Sequence, residues 1–188
     1  MSQAVPCQIA LLGLGNLMRS DDAIGMLALR KLEEHGRLPA EVRVIEGGTL
    51  GLDLLDSLRD ISHLLVLDAV DTGVVPGTFS RFEGEEIDAL PVSKSVHLLG
   101  FSDLMCALRL MNAAPAEVVL LGVQPASTDW GTVLTPEVVP TQQTLMQSAL
   151  EQLTRWNAKV PETAACRIST SRNERKQTDH GKAIWNTN

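Results

Sequence analysis

The tightest constraint in this chain is the stretch Gly13-Leu14-Gly15-Asn16-Leu17-Met18-Arg19-Ser20-Asp21-Asp22-Ala23-Ile24-Gly25, set between the apolar run Ile9-Ala10-Leu11-Leu12 and a segment of helical periodicity. Apolar run, glycine turn and amphipathic segment, in that order, read as the first strand-to-helix connection of an α/β domain, where such folds put their chemistry. Two carboxylates set it apart from a phosphate-binding turn. A phosphate site leaves the first amides of the helix open to an anion, whereas here Asp21 and Asp22 already stand at the positive end. The turn is suited to meet a cation.

Further along, the same alternation recurs. Cys7 to Leu12 reads as a buried first strand, and Asp21 to about His35 as a helix, with Ser20 as N-cap and Gly36 as its stop. Glu41 to Glu46 reads as a second strand ending in Gly47-Gly48-Thr49, and Leu50 to Leu58 carries leucines at helical spacing. His63 to Asp68 is a short apolar run of the kind found in central parallel strands. A Gly- and Pro-punctuated loop, Asp71 to Gly77, precedes a short strand near Thr78 to Phe82. His97 then sits at the turn into a helix spanning Leu98 to Met111, with Leu104, Met105, Leu108 and Met111 on one side. Ala116 to Val123 is the last strand. Thr135-Pro136-Glu137 has the form of a helix start, with a bend or delayed start expected at Pro140 and the helix running towards Trp156.

This pattern predicts a single three-layer α/β/α domain over residues 1–158, with a twisted, mostly parallel sheet of about five strands. Residues 159–188 are polar and basic, and are expected to form a loosely ordered tail. Residues 1–157 hold ten Lys+Arg against twenty Asp+Glu, and the remainder six against three. So acidic a body lacks the positive face that nucleic acid requires. No apolar run approaches membrane-spanning length and no signal segment precedes the first strand, so no membrane partner is expected. Three scattered cysteines, Cys7, Cys106 and Cys166, point to a reduced, cytoplasmic protein.

In a parallel sheet the loops after the strands share one edge. Asp22 follows the first strand, Glu46 ends the second, Asp68 ends the third, and His97 lies at the turn into the later helix. His63 begins its strand and falls on the opposite edge, while His35 and His180 belong to a helix end and the tail. Each group has an ordinary explanation. First-turn acids gain roughly 0.3–1 kcal/mol from the helix dipole, the preferred reading for Asp21, and Glu46 could serve only to bond the Gly47-Gly48 turn. Asp68 closing an apolar strand is harder to dismiss, because a carboxylate desolvated on one side wants a partner. No single packing role explains Asp22, Asp68 and His97 together. Two carboxylates and an imidazole suit a borderline divalent metal with positions left open for water or substrate, and so amide hydrolysis.

These residues also carry a resemblance. Gly13-Leu14-Gly15-Asn16 with the acids and Gly25, then Glu46-Gly47-Gly48-Thr49, Leu67-Asp68-Ala69, His97 and Gly122 to Pro125 occur in the order found in the nickel–iron hydrogenase maturation proteases, and the chain is similar to that family over residues 8 to 155. The resemblance implies a cytoplasmic, monomeric endopeptidase that removes a C-terminal extension from the hydrogenase large-subunit precursor once its nickel–iron centre is assembled. It implies that Asp22, Asp68 and His97 are both the catalytic and the metal-contacting residues; Glu46 and Asp21, close to them in the sequence pattern, are secondary candidates. The metal would be nickel supplied by the precursor, with no organic cofactor. One departure stands out: well-known members carry glutamate where this chain has Asp22, one methylene shorter.

Other classes compete. A dinucleotide site would use Gly13-x-Gly15 and Glu46, but Met18 holds the third glycine position and the acids would repel a pyrophosphate. A peptidyl-tRNA hydrolase-like enzyme shares the Gly-Leu-Gly-Asn turn but not the Pro-Gly and histidine that should follow it. A non-catalytic nickel chaperone or adaptor is separated from a protease only by assay.

Overall fold

Three apolar runs become the middle of the sheet because each is covered on both faces. The computed structural model describes residues 8–90 and 96–158, the helical residues 96–99 through their backbone. Its strands are β1 (Ile9–Leu14), β2 (Arg43–Gly48), β3 (His63–Ala69), β4 (Phe79–Glu83) and β5 (Glu117–Val123), in the order β2-β1-β3-β5-β4. The first four of that order are parallel, and β4 closes the edge antiparallel to β5. The helices are α1 (Ile24–Glu34), α2 (Leu55–Leu58), α3 (Glu85–Asp88), α4 (Val96–Leu110) and α5 (Thr141–Asn157). None among the described residues is long and apolar enough to cross a membrane.

Period-two alternation splits the strand side chains between two cores. Leu11, Leu65, Leu67 and Leu121 join α1 and α5 through Leu29, Leu32, Leu153 and Trp156. Leu12, Leu64, Val66 and Leu120 join α2 and α4 through Leu58, Phe101, Leu104 and Leu108. The chain leaves β1 for β2 on one side, then returns past β1 to β3 on the other. That reversal opens a crevice at the C-terminal ends of β1 and β3, where open α/β sheets bind ligands.

Two glycines of the opening turn are there for close approach. A Cβ on Gly25 would lie 2.2 Å from the Leu67 carbonyl oxygen and 2.5 Å from that of Leu14, so only glycine lets α1 begin against both strands. Gly15 has φ +121, and a Cβ there would lie 1.9 Å from the Asp22 carbonyl oxygen. At the same edge, a Cβ on Gly51 would lie 3.3 Å from Gly100 Cα, which brings the start of α4 beside the loop that leaves β2. His97, the second residue of α4, is carried to the strand-exit edge.

Several expectations needed correction. Ser20 is not the N-cap of α1. It has φ +39 and opens a separate 3₁₀ turn, Ser20–Ala23, with α1 starting at Ile24. The turn stays apart because the amides of Ser20 and Asp21 donate to the carbonyls of Gly131 and Ser127. Thr135-Pro136-Glu137 does not start a helix; α5 begins at Thr141, the delayed start expected at Pro140. Thr135 cannot cap, because its amide and hydroxyl both donate to Asp21. The Leu50–Leu58 segment is a 3₁₀ turn, Leu52–Leu54, followed by the single turn of α2. Met111 is exposed, since the chain turns away at Asn112 with φ +53. β2 sits two residues later than expected. The tail from 159 to 188, with Cys7 and Cys166, lies outside the described residues.

Candidate functional site

The opening turn is held by its own amides. Gly15 N–H donates to the Gly48 carbonyl at 2.9 Å, Asn16 N–H to Asp22 Oδ2 at 3.0 Å, and Met18 N–H to Asn16 Oδ1 at 2.9 Å. Arg19 N–H donates to the Asn16 carbonyl at 3.0 Å and Asp22 N–H to that of Arg19 at 2.9 Å. With the Ser20 and Asp21 amides also engaged, the turn presents no cluster of open N–H groups of the kind a pyrophosphate needs. The half-buried Asp22 carboxylate is held by one of those bonds, through its Oδ2.

Asp68 is the sixth residue of β3 and fully buried. Its parity with Leu64 and Val66 puts it on the α4 side of the sheet, the layer to which His97 belongs by its helix. Its Oδ1 accepts the Ala69 amide at 2.8 Å. Burial first, and then the neighbouring Asp22 charge, push the Asp68 carboxyl well above the usual carboxylate range, against a smaller opposing effect of the Ala69 bond. Asp22 and Asp68 are thus electrostatically coupled at the end of the crevice. The His97 imidazole lies outside the described side chains, and among the described residues no three His, Cys, Asp or Glu side chains gather as a metal cluster on their own.

The remaining candidates separate clearly. His63 starts β3 at the far edge, with Nε2 3.6 Å from Glu117 Oε2 and its ring edge-on to Trp156 at 5.2 Å. Glu46 does not bond the Gly47-Gly48 turn. Both its oxygens accept from Arg30, at 2.7 and 2.8 Å, and this guanidinium holds its carboxyl below the usual range. The pair is exposed, so Arg30→Ala is expected to cost no more than about 1 kcal/mol in urea unfolding. A larger loss would mean that Glu46 helps to shape the site.

Asp21 is not a surface acid serving the helix dipole. It is fully buried, and its carboxylate accepts Ala126 N–H at 2.9 Å, Ser127 N–H at 3.1 Å, Thr135 N–H at 2.7 Å and Thr135 Oγ1–H at 2.8 Å. It clamps the segment after β5 onto the turn that carries Asp22. Gln124, which sequence reasoning passed over, joins the loops after β3 and β5: its Oε1 accepts Thr72 N–H at 2.9 Å and Gly73 N–H at 3.1 Å, and its Nε2 donates to Asp71 Oδ1 at 3.0 Å. A glutamine directly after the apolar run Leu120-Leu121-Gly122-Val123 was the available signal, because a buried amide must find partners.

Comparison with known proteins identifies the family. A family model described as hydrogenase maturation protease matches residues 26–152, a span that includes Asp68 and His97 and begins just after Asp22. The hydrogenase expression/formation protein HupD of Rhodobacter capsulatus is 34% identical over 162 residues, covering 85% of this chain and 77% of that one. The hydrogenase 2 maturation protease of Escherichia coli is 37% identical over 148 residues, covering 78% and 88%. Among solved structures, the hydrogenase maturating endopeptidase HybD from E. coli superposes with a TM-score of 0.73 at 33% identity, covering 79% of this chain and 93% of that one. Sharing sequence and fold with these proteins over most of its length, the chain belongs to the hydrogenase maturation protease family and is a hydrolase.

Proposed function

We propose that this protein removes the C-terminal extension of a nickel–iron hydrogenase large-subunit precursor after nickel insertion, and that Asp22, Asp68 and His97 meet the nickel carried by that precursor. The observation that carries this reading is Asp68, a fully buried carboxyl near the C-terminal end of β3 that lies close enough to Asp22 to feel its charge. A cation arriving beside these two carboxylates would offset their mutual repulsion and favour the ionised form of Asp68. An imidazole from the first turn of α4 would complete the set.

Nickel brought by the substrate would be held by these residues and would supply a Lewis acid there. Asp22 is held by the Asn16 amide and Asp68 by its place in β3, which fixes the backbone that carries both carboxylates. A site with three oxygen and nitrogen donors and no thiolate fits an ion that arrives and leaves with its substrate. The protein would act as a monomer in the cytoplasm, a setting that suits the free, exposed Cys106.

Incubation with purified precursor, followed by intact-mass measurement, tests the reading. Nickel-loaded precursor is expected to lose its extension and nickel-free precursor to stay whole; equal cleavage of both would contradict recognition through the metal. His63→Ala is expected to leave the cleavage rate unchanged while costing on the order of 1 kcal/mol of stability from the lost Trp156 ring contact. A folded but inactive His63→Ala would place the chemistry on the wrong edge of the sheet.

A further inference from the structure

Large apolar side chains exposed on the described surface are unevenly placed. Apart from Leu110 and Met111 at the end of α4, all of them lie in segments that follow the C-terminal ends of strands. Met18 follows β1, Leu50 and Leu52 follow β2, Val74 and Val75 follow β3, and Trp130, Val133 and Val139 follow β5. They border the edge that bears Asp22 and Asp68. Trp130, 80% exposed, is the largest of these side chains, and Val133, 74% exposed, follows three residues later in the same segment.

That loop is fixed by many bonds to the opening turn. Gly131 N–H donates to the Met18 carbonyl at 3.0 Å, Ser20 N–H to the Gly131 carbonyl at 2.8 Å, and Arg19 Nε–H to the Thr128 carbonyl at 2.8 Å. The Asp21 carboxylate holds Ala126, Ser127 and Thr135. Trp130 and Met18 are therefore presented from one rigid piece of backbone, the same piece that carries Asp22. A rigid tryptophan on a preorganised loop can bind a partner at little entropic cost, and such side chains dominate interface energetics.

We infer that Trp130, with Met18 on the opening turn bonded to its neighbour Gly131 and Val133 three residues further along the same segment, forms a platform that seats an apolar, non-acidic stretch of the precursor polypeptide next to the bond that is cut. This rests on the precursor-processing reading. Its occupant is identified by position and by charge: an endopeptidase's protein substrate must lie across the edge that bears the catalytic groups, and the acidic body repels an acidic segment.

The test is steady-state cleavage of nickel-loaded precursor by the full chain carrying Trp130→Ala or Val133→Ser, with Leu110→Ala as a control on the α4 end. Trp130→Ala is expected to raise KM about tenfold or more with kcat nearly unchanged, as for lost binding energy common to ground and transition states. Val133→Ser should raise KM by less, and Leu110→Ala should match wild type. An unchanged KM for Trp130→Ala, with wild type cutting normally, overturns the inference and leaves the processing reading standing. A lowered KM overturns it as well, because a segment of this chain would then be what covers the platform. Wild-type dimerisation in sedimentation, abolished by Trp130→Ala, would make the platform a self-interface and also overturn it. Failure of wild type to cut any nickel-loaded precursor removes the processing reading, and the inference with it.

Discussion

Asp68→Asn is expected to slow cleavage of nickel-loaded precursor by a hundredfold or more, the usual scale for loss of a positioned catalytic group, while making the free protein more stable at neutral pH. Both effects have one origin. Burial and the Asp22 charge raise the Asp68 carboxyl above its unfolded value, so the folded chain holds this proton more tightly than the unfolded one. The contribution to stability is fully present below the ordinary carboxylate range and is lost as pH rises through the raised folded value. At neutral pH the native protein carries that cost. Asparagine avoids it, since its carbonyl oxygen can still accept the Ala69 amide and it bears no charge. Urea unfolding of wild type and Asp68→Asn near pH 4 and near pH 7 is the check. The stability advantage of the variant should grow between the two, and an advantage that shrinks would contradict the direction assigned to Asp68.

Asp21→Ala is expected to have the largest structural effect of any single change in the opening turn. It strips the acceptor from three backbone amides and one hydroxyl that are drawn from segments more than a hundred residues away in sequence. A buried donor left without a partner costs about 1–3 kcal/mol, and water entering the gap offsets part of the total, so a net loss of about 3 kcal/mol or more is expected. The opening should be local first. Hydrogen exchange at the amides of Ala126, Ser127 and Thr135 should accelerate before that of β3 or β5. Cleavage should fall with it, because Asp22 shares the turn that Asp21 anchors. Unchanged exchange at those three amides would show that the clamp does not hold the loop.

The sequence made some of this arrangement legible, for identifiable reasons. Leu64 to Leu67 and Val119 to Leu121 read as central strands because both faces are covered, which leaves an uninterrupted apolar run. Asp68 stood out because it ends such a run, and His63 could be set aside because it begins one. Asp21 was misread. Next to a helix start, an acid looks like a partner for the helix dipole, and nothing local reveals that its acceptors serve amides at 126, 127 and 135. The same distant bonds explain the misplaced caps. Ser20 and Thr135 have the residue types of helix starts, but their polar groups are engaged across the crevice. Glu46 was ambiguous because its partner Arg30 lies on a neighbouring helix, at a separation that no periodicity marks.

In the proposed site one divalent ion is gathered by Asp22, Asp68 and the imidazole of His97. A crystal structure of this protein soaked with nickel or a similar divalent cation tests it most directly. The expected result is a single ion at the β1–β3 crevice, bonded to both carboxylates and to the His97 ring. An ion bound elsewhere, with the three side chains out of mutual reach, would contradict it.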